Sequence, residues 1–170
     1  HTFYGPRKLG SIGIALPHVQ VRIADSNAPA RVLAPGEVGE LQVRGPITMR
    51  EYINNPEATQ STLIDGGWLR TGDLARMDEE GFVYVVDRVK DMIITGGFNI
   101  YPAELERAIA EHPAVAMVAV GGISDEMKGE LAKAYIVLKK GMTVDPSDLE
   151  RHCRERLASY KVPRAFQFVA

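Results

Sequence analysis

The fold is decided by residues 81–106, which read GFVYVVDRVKDMIITGGFNIYPAELE. Two runs in this stretch, Val83–Val86 and Met92–Thr95, are rich in β-branched residues and favour β-strands. Residues 87–90 separate the runs and are mostly charged, and charged side chains are costly to bury without partners. The stretch therefore predicts a strand, a charged joint and a second strand.

A glycine pair follows the second run. Gly96 and Gly97 can adopt positive φ and allow a ligand to approach the backbone closely. Pro102 suits the first position of a helix, and residues 102–112 carry apolar side chains at helical spacing. A tight glycine turn beside a charged joint indicates a place suited to a moving part.

Composition excludes several classes of protein. The chain has 170 residues, of which 45% are hydrophobic and 25% charged, which suffices for one or two small cores. A formal charge of -2 without clustered Lys and Arg argues against nucleic-acid binding. No apolar run approaches the roughly 18 residues of a membrane span, and no signal peptide is recognisable, so we expect a cytoplasmic location.

Cysteine and histidine give no sign of a metal site. The single Cys153 cannot form an internal disulfide, and its place on the apolar stripe of a predicted helix indicates a core thiol. The histidines have no metal-ligand spacing with Cys153 or with one another. We expect no metal ligands in this chain.

The remaining elements follow from alternation and helix-start signals. Before the deciding stretch, residues 19–23 and 40–44 alternate as strands of a small barrel or curled sheet, and Pro56 opens a short helix to about Thr62. After it, the pattern predicts strands at 114–120, 134–138 and 166–169, a polar loop at 124–130, and a helix from Asp145.

Asp73 and Arg88 are the candidate nucleotide ligands. Asp73 ends the run Trp68–Asp73, and a carboxylate just after a glycine turn can accept two hydrogen bonds from the vicinal hydroxyls of a ribose. The alternative is an Asp that caps its own turn. The planar fork of Arg88 suits ribose oxygens or a phosphate, whereas the alternative is a surface ion pair with Asp87 or Asp91.

Three motifs together resemble one superfamily. The joint at 87–91 (DRVKD), the Gly-Gly turn and the helix start at 102–106 (PAELE) resemble the hinge motif of the adenylate-forming enzymes. This superfamily includes acyl-CoA synthetases, nonribosomal adenylation domains and beetle luciferases. Residues 68–74 resemble its Thr-Gly-Asp signature and residues 39–45 its Gly-Glu-Leu strand, in the same order and at the same spacing.

The resemblance implies an α+β fold in three parts. Residues 1–87 would end a large N-terminal AMP-binding domain as a barrel-like, β-rich subdomain, and residues 88–90 would be a hinge. Residues 91–170 would form a small α+β C-terminal domain, with a central β-sheet flanked by helices. The chain would be a fragment truncated before the segment with the catalytic lysine, expected beyond Ala170, so it would hold no catalytic residue itself.

The resemblance also implies roles for individual residues. Asp73 and Arg88 would bind the nucleotide, Lys90 would be the hinge residue, and Gly96 and Gly97 would border the channel for CoA. The expected cofactors are ATP/AMP, CoA and Mg²⁺, with the Mg²⁺ ligands outside the fragment.

The implied activity is that of an ATP-dependent, AMP-forming acid–thiol ligase. A fatty-acyl-CoA ligase is the first interpretation: it activates a carboxylate to acyl-AMP and transfers the acyl group to CoA, with peripheral membrane contact possible. A nonribosomal-type adenylation domain or an aryl-CoA ligase is the alternative, although Ile94 stands where luciferases and cinnamate-type ligases carry Lys. An alternative of another class is that the chain as given is a non-catalytic module.

Overall fold

The chain forms two compact units, and the division lies between Lys90 and Asp91. The structure, a computed structural model, describes residues 7–169. A 3-10 turn, Val89–Asp91, follows directly after the last strand of the first unit. The residues that the sequence predicted as a charged joint are therefore partly strand and partly helical turn.

The first unit is built on one antiparallel sheet. Its elements are β1 (Gln20–Ala24), β2 (Gly39–Arg44), α1 (Pro56–Thr62), β3 (Leu63–Ile64), β4 (Trp68–Met77) and β5 (Val83–Arg88). The strands lie in the order β1-β2-β4-β3, and β5 also pairs with β4. Because β4 is ten residues long, its beginning pairs with β3 and its end with β5.

The core of the first unit is formed by the alternate side chains of its strands that point to one face of the sheet. Ile23, Leu41, Ala75 and Val83 pack together, and each is at least nine-tenths buried. Each Å² of apolar surface that this packing removes from water stabilises the fold by about 25 cal/mol. This burial is the main source of the sheet's stability. The start of α1 is confirmed too, since the Oδ1 of Asn55 accepts a hydrogen bond from the N–H of Ala58 at 3.0 Å.

The second unit combines a mixed sheet with two helices. Its elements are β6 (Ile93–Thr95), β7 (Phe98–Ile100), α2 (Pro102–Ala110), β8 (Val115–Asp125), β9 (Gly129–Leu138), α3 (Pro146–Arg154) and β10 (Ala165–Phe168). The strand order is β10-β9-β6-β7, with β8 also paired to β9. β10 runs parallel to β9, and the other pairings are antiparallel.

Both helices of this unit pack on the sheet through one core. Ile109 of α2, Ile136 of β9 and Leu149 of α3 are fully buried in the same cluster. Cys153 of α3 lies there as well, which confirms the predicted core thiol, and burial raises the pKa of this thiol to about 11. The predicted α+β fold, with a β-rich subdomain followed by a small α+β domain, is confirmed.

The Gly96–Gly97 pair forms the two-residue turn between β6 and β7. Its φ angles are 55° and 83°, so both residues take the left-handed conformation that tight hairpins require. The positive φ predicted from the sequence is confirmed.

Two local predictions were wrong. Residues 124–130 do not form a polar loop, because β8 continues to Asp125 and β9 already begins at Gly129. Gly72 is not in a turn before Asp73 but lies inside β4, with φ of 75°. The register between β2 and β4 shifts opposite Gly72, so the glycine marks a β-bulge.

Within residues 7–169, no helix is long and apolar enough to cross a membrane.

Candidate functional site

Asp73 and Arg88 stand opposite each other on neighbouring strands. They are register partners of β4 and β5, and the Nε of Arg88 lies 3.3 Å from the Oδ1 of Asp73. The side chain of Asp73 is 31% exposed and that of Arg88 is 61% exposed, so this ion pair is weak and both groups are accessible to a ligand. The sequence predicted a role for each residue, and the structure brings the two together.

The bulge at Gly72 sets the direction of Asp73. Thr71 ties the bulge to β2, because its Oγ1 donates to the carbonyl oxygen of Leu41 at 2.8 Å and accepts from the N–H of Asp73 at 3.1 Å. Bulges bend a strand and redirect its side chains, and they are common beside functional sites.

Glu40 is a buried carboxylate that sequence reasoning did not assign. Only 2% of it is exposed, and its Oε2 accepts from the Nε of Arg70 at 2.7 Å while its Oε1 accepts from the N–H of Gly72 at 3.3 Å. The carboxylate therefore provides a hydrogen-bond acceptor for the backbone N–H of Gly72 in the bulge. A glutamate inside the Gly-Glu-Leu strand was the available signal, but a strand pattern alone does not tell which polar residue is covered.

An open cleft of about 350 Å³ lies beside these groups. Its lining is formed by Glu40, Thr71, Gly72, Arg88, Val89 and Lys90. The lining presents the planar cationic fork of Arg88, and the carboxylate paired with this fork is that of Asp73, which is not itself part of the lining. A cationic fork beside a partly exposed carboxylate is suited to hold a sugar hydroxyl or a phosphate.

A second cleft, of about 370 Å³, lies within the second unit. Gly96 borders it, and the rings of Phe98 and Tyr160 stack there with centroids 4.7 Å apart. Three cationic residues also line it, namely Lys128, Arg154 and Arg164. The sequence analysis missed these three because they come from separate segments.

Next to Tyr160 in the sequence, Lys161 forms an ion pair with α2. The Nζ of Lys161 lies 2.7 Å from both carboxylate oxygens of Glu104, in the first turn of α2. The Lys161 side chain is only 18% exposed, so this pair is better shielded than the one between Asp73 and Arg88. Nearby, burial raises the pKa of the Tyr101 phenol.

The part of the chain that the structure describes contains no group of three or more His, Cys, Asp or Glu side chains arranged to hold a metal ion.

Comparisons with known proteins bear on the family and the fold of this chain. Residues 104–170 match the family of the AMP-binding enzyme C-terminal domain. The chain is 48% identical to a long-chain-fatty-acid–CoA ligase of Bacillus subtilis over 97% of its own length. Residues 104–170 therefore belong to the AMP-binding enzyme C-terminal domain family. The chain is also 44% identical to a 2-succinylbenzoate–CoA ligase of Bacillus licheniformis, over 98% of the chain, and its relatives and structural neighbours are adenylate-forming enzymes.

Solved structures from the superfamily have the same fold. The ATP-bound crystal structure of MatB from Rhodopseudomonas palustris matches 99% of the chain with a TM-score of 0.92 and 38% identity. An o-succinylbenzoate CoA synthetase from Bacillus subtilis, in complex with its acyl-adenylate intermediate, matches 95% with a TM-score of 0.84 and 44% identity.

The chain spans about a third of these proteins. It covers 29% and 34% of the two ligases and 33% and 32% of the two solved chains. The comparisons therefore bear on the family and the fold, and the residue roles stay predictions.

Proposed function

We propose that this chain is part of an ATP-dependent, AMP-forming acid–thiol ligase. Residues 1–87 would close its large AMP-binding domain, residues 88–90 would be the hinge, and residues 91–170 would be its small C-terminal domain. The enzyme joins a carboxylate to ATP to give acyl-AMP and pyrophosphate, and the thiol of CoA then displaces AMP. The observation that carries the proposal is the juxtaposition of Asp73 and Arg88 beside the first cleft.

Asp73 and Arg88 would hold the ribose of the nucleotide. The carboxylate of Asp73 accepts hydrogen bonds from two adjacent hydroxyls, and the fork of Arg88 donates to the sugar or phosphate oxygens. Because the existing ion pair is long and partly exposed, a ligand can replace it at little cost. Their contribution to catalysis is then positioning and not bond making.

Lys90 would be the hinge residue. The division between the two compact units falls directly after Lys90, and the 3-10 turn Val89–Asp91 is short, which supports a rotation at this point. Hinges are commonly a few residues at the ends of elements, where a change in φ and ψ disturbs little packing.

Gly96 and Gly97 would border the path of CoA. A hairpin tip without Cβ atoms lets the pantetheine chain pass close to the backbone. The second cleft offers stacked aromatic rings and three cations next to Gly96, a chemistry suited to the adenine and phosphates of CoA.

The acid is proposed only by class. A fatty acid is the narrower choice, favoured by the similarity to a long-chain-fatty-acid–CoA ligase, although 2-succinylbenzoate–CoA ligases are similar too. Mg²⁺ would neutralise the phosphates of ATP through ligands outside this chain. A cytoplasmic location stays a prediction.

The test is substitution of Asp73 by Asn in the enzyme that carries this sequence. Loss of the charged acceptor should raise the KM for ATP about 10- to 100-fold in pyrophosphate exchange, since a hydrogen bond to a charged group contributes roughly 1.5–3 kcal/mol. Asp65→Asn makes the same charge change in an exposed turn of the first unit and should leave this constant unaltered.

Equal KM values for Asp73→Asn and Asp65→Asn would contradict the role of Asp73. Absence of ATP- and CoA-dependent AMP formation with every acid tried, fatty acids and 2-succinylbenzoate included, would contradict the proposed activity.

A further inference from the structure

The far end of the glycine hairpin is anchored by Ile93 and Ile100, which are buried in a core with Leu105 and Ala132, but its tip is bonded to the sheet at few backbone positions. Among the described residues, β6 and β9 share one register pair, Thr95 with Gly129. Beside it, the N–H of Gly96 donates to the carbonyl oxygen of Lys128 at 2.9 Å. The position of the tip, beyond the buried Ile93 and Ile100, therefore depends on the few bonds between β6 and β9.

A side chain supplies that contact. In a two-residue hairpin the residues flanking the turn exchange backbone hydrogen bonds, and the next pair, Ile94 with Asn99, does not. The N–H of Ile94 therefore points away from β7, and it donates to the Oε2 of Glu130 at 2.9 Å. The carboxylate of Glu130, at the start of β9, takes the place of a backbone carbonyl where the ladder between β6 and β9 ends.

The strand on the other side of Glu130 leaves room for this carboxylate. A Cβ atom added at Gly122 of β8 would lie 3.0 Å from the Oε1 of Glu130 and 3.3 Å from its carboxyl carbon. The neighbouring Gly121 has no such contact, because nothing lies within 4 Å of the corresponding position. Gly122 thus gives Glu130 the space in which its carboxylate meets β6.

We propose that Glu130 is a positioning residue for the glycine hairpin. Its carboxylate holds β6 against β9 and thereby keeps Gly96 at the border of the second cleft. A charged acceptor makes the stronger kind of hydrogen bond to an N–H, so losing it should loosen the end of β6 next to Gly96, where few other bonds reach β9. The consequence for CoA binding rests on the function proposed above, whereas the structural role does not.

Amide hydrogen exchange in the 170-residue chain tests the structural role directly. The measured quantity is the exchange rate of the Ile94 amide divided by that of Ile136, which is fully buried in β9. Glu130→Ala should raise this ratio about tenfold, the effect of losing a charged acceptor. Glu130→Gln keeps an acceptor oxygen without its charge and should recover part of the protection.

Matched controls separate this contact from general stability. Glu126→Ala removes an exposed carboxylate from the same β8–β9 connection and should leave the ratio unchanged. Gly122→Ala displaces the carboxylate and should raise the ratio, whereas Gly121→Ala should not. An unchanged ratio in Glu130→Ala, including the case in which both amides exchange faster together, would overturn the proposal.

Titration with CoA distinguishes this role from the proposed function. If CoA binds the wild-type chain, its Kd should rise several-fold in Glu130→Ala and be partly restored in Glu130→Gln. Equal Kd values in the wild type and Glu130→Ala would refute the link between the hairpin and the cleft. Absence of CoA binding to the wild type would count against the CoA assignment, and the exchange ratio would still decide the role of Glu130.

Discussion

Replacing Gly72 by Ala should destabilise the first unit through its backbone alone. Gly72 has φ of 75°, and nothing lies within 4 Å of the position that a Cβ atom would take. The cost is therefore that of an L-residue in the left-handed region, about 1–2 kcal/mol, without a steric contribution. This free energy lowers the ratio of folded to unfolded molecules about 5- to 30-fold.

Urea unfolding followed by tryptophan fluorescence measures this cost. Trp68 is the only tryptophan of the chain and lies in β4 with Gly72, and the guanidinium carbons of Arg22 and Arg44 lie 4.1 and 4.7 Å from the centre of its ring. Its emission therefore reports unfolding of the first unit. Gly72→Ala should lower the midpoint without changing the slope m, because the surface exposed on unfolding stays the same.

A second substitution tests the reasoning. Asn tolerates the left-handed region better than Ala, so Gly72→Asn should cost less than Gly72→Ala despite its larger side chain. Gly121→Ala, in the second unit with open space and no positive φ, is the control that should leave the Trp68 transition in place. A cost for Asn equal to or above that for Ala would refute the argument from φ.

Two further predictions concern buried ionisable groups. Glu40→Ala should cost about 3–5 kcal/mol in the same urea assay, because it removes the partner of Arg70 and the acceptor of the Gly72 amide; a loss below 1 kcal/mol would show that the carboxylate is dispensable. Cys153 should react slowly with iodoacetamide at neutral pH in the folded protein, since burial raises its pKa to about 11 and the thiolate is the reactive form. The folded protein therefore favours the protonated thiol over the thiolate. The stability that the protonated Cys153 contributes is complete below the ordinary pKa near 9 and falls as the pH rises to about 11. The part of the alkaline loss due to Cys153 should be absent in Cys153→Ala, and an identical pH dependence in the two proteins would contradict the assignment.

Local sequence signals predicted the elements that depend on local chemistry. Asn55 before Pro56 and Asp145 before Pro146 predicted two helix starts, and both side chains accept a capping hydrogen bond from a backbone N–H. The glycine pair at 96–97 predicted a tight turn for the same reason, since positive φ is a property of the residue and its neighbours.

Features that depend on strand pairing could not be predicted from the sequence. The bulge at Gly72 exists because β2 and β4 pair in a shifted register, and no pattern in residues 68–74 encodes that register. Glu130 was assigned to a loop because its surroundings are hydrophilic, although β9 begins one residue earlier. Its role depends on Ile94, which is 36 positions away in the sequence.

In the candidate site, too, individual residues could be predicted from the sequence but their spatial arrangement could not. Asp73 and Arg88 could be singled out from motifs, but their pairing follows from the alignment of β4 with β5. The second cleft could not be predicted, because Lys128 follows β8, Arg154 ends α3 and Arg164 precedes β10.

The parallel pairing of β10 with β9 also constrains the order in which the second unit folds. β8 and β9 are joined by a short connection, so their hairpin forms as soon as both strands have left the ribosome. β10 pairs across the connection that contains α3, and its partners lie 32 residues earlier, as in the pair Ala165 with Lys133. Such a contact closes a long loop and forms late. During synthesis the core around Ile136 therefore stays open along one edge until residues 165–168 emerge, and in that interval a chaperone has access to it.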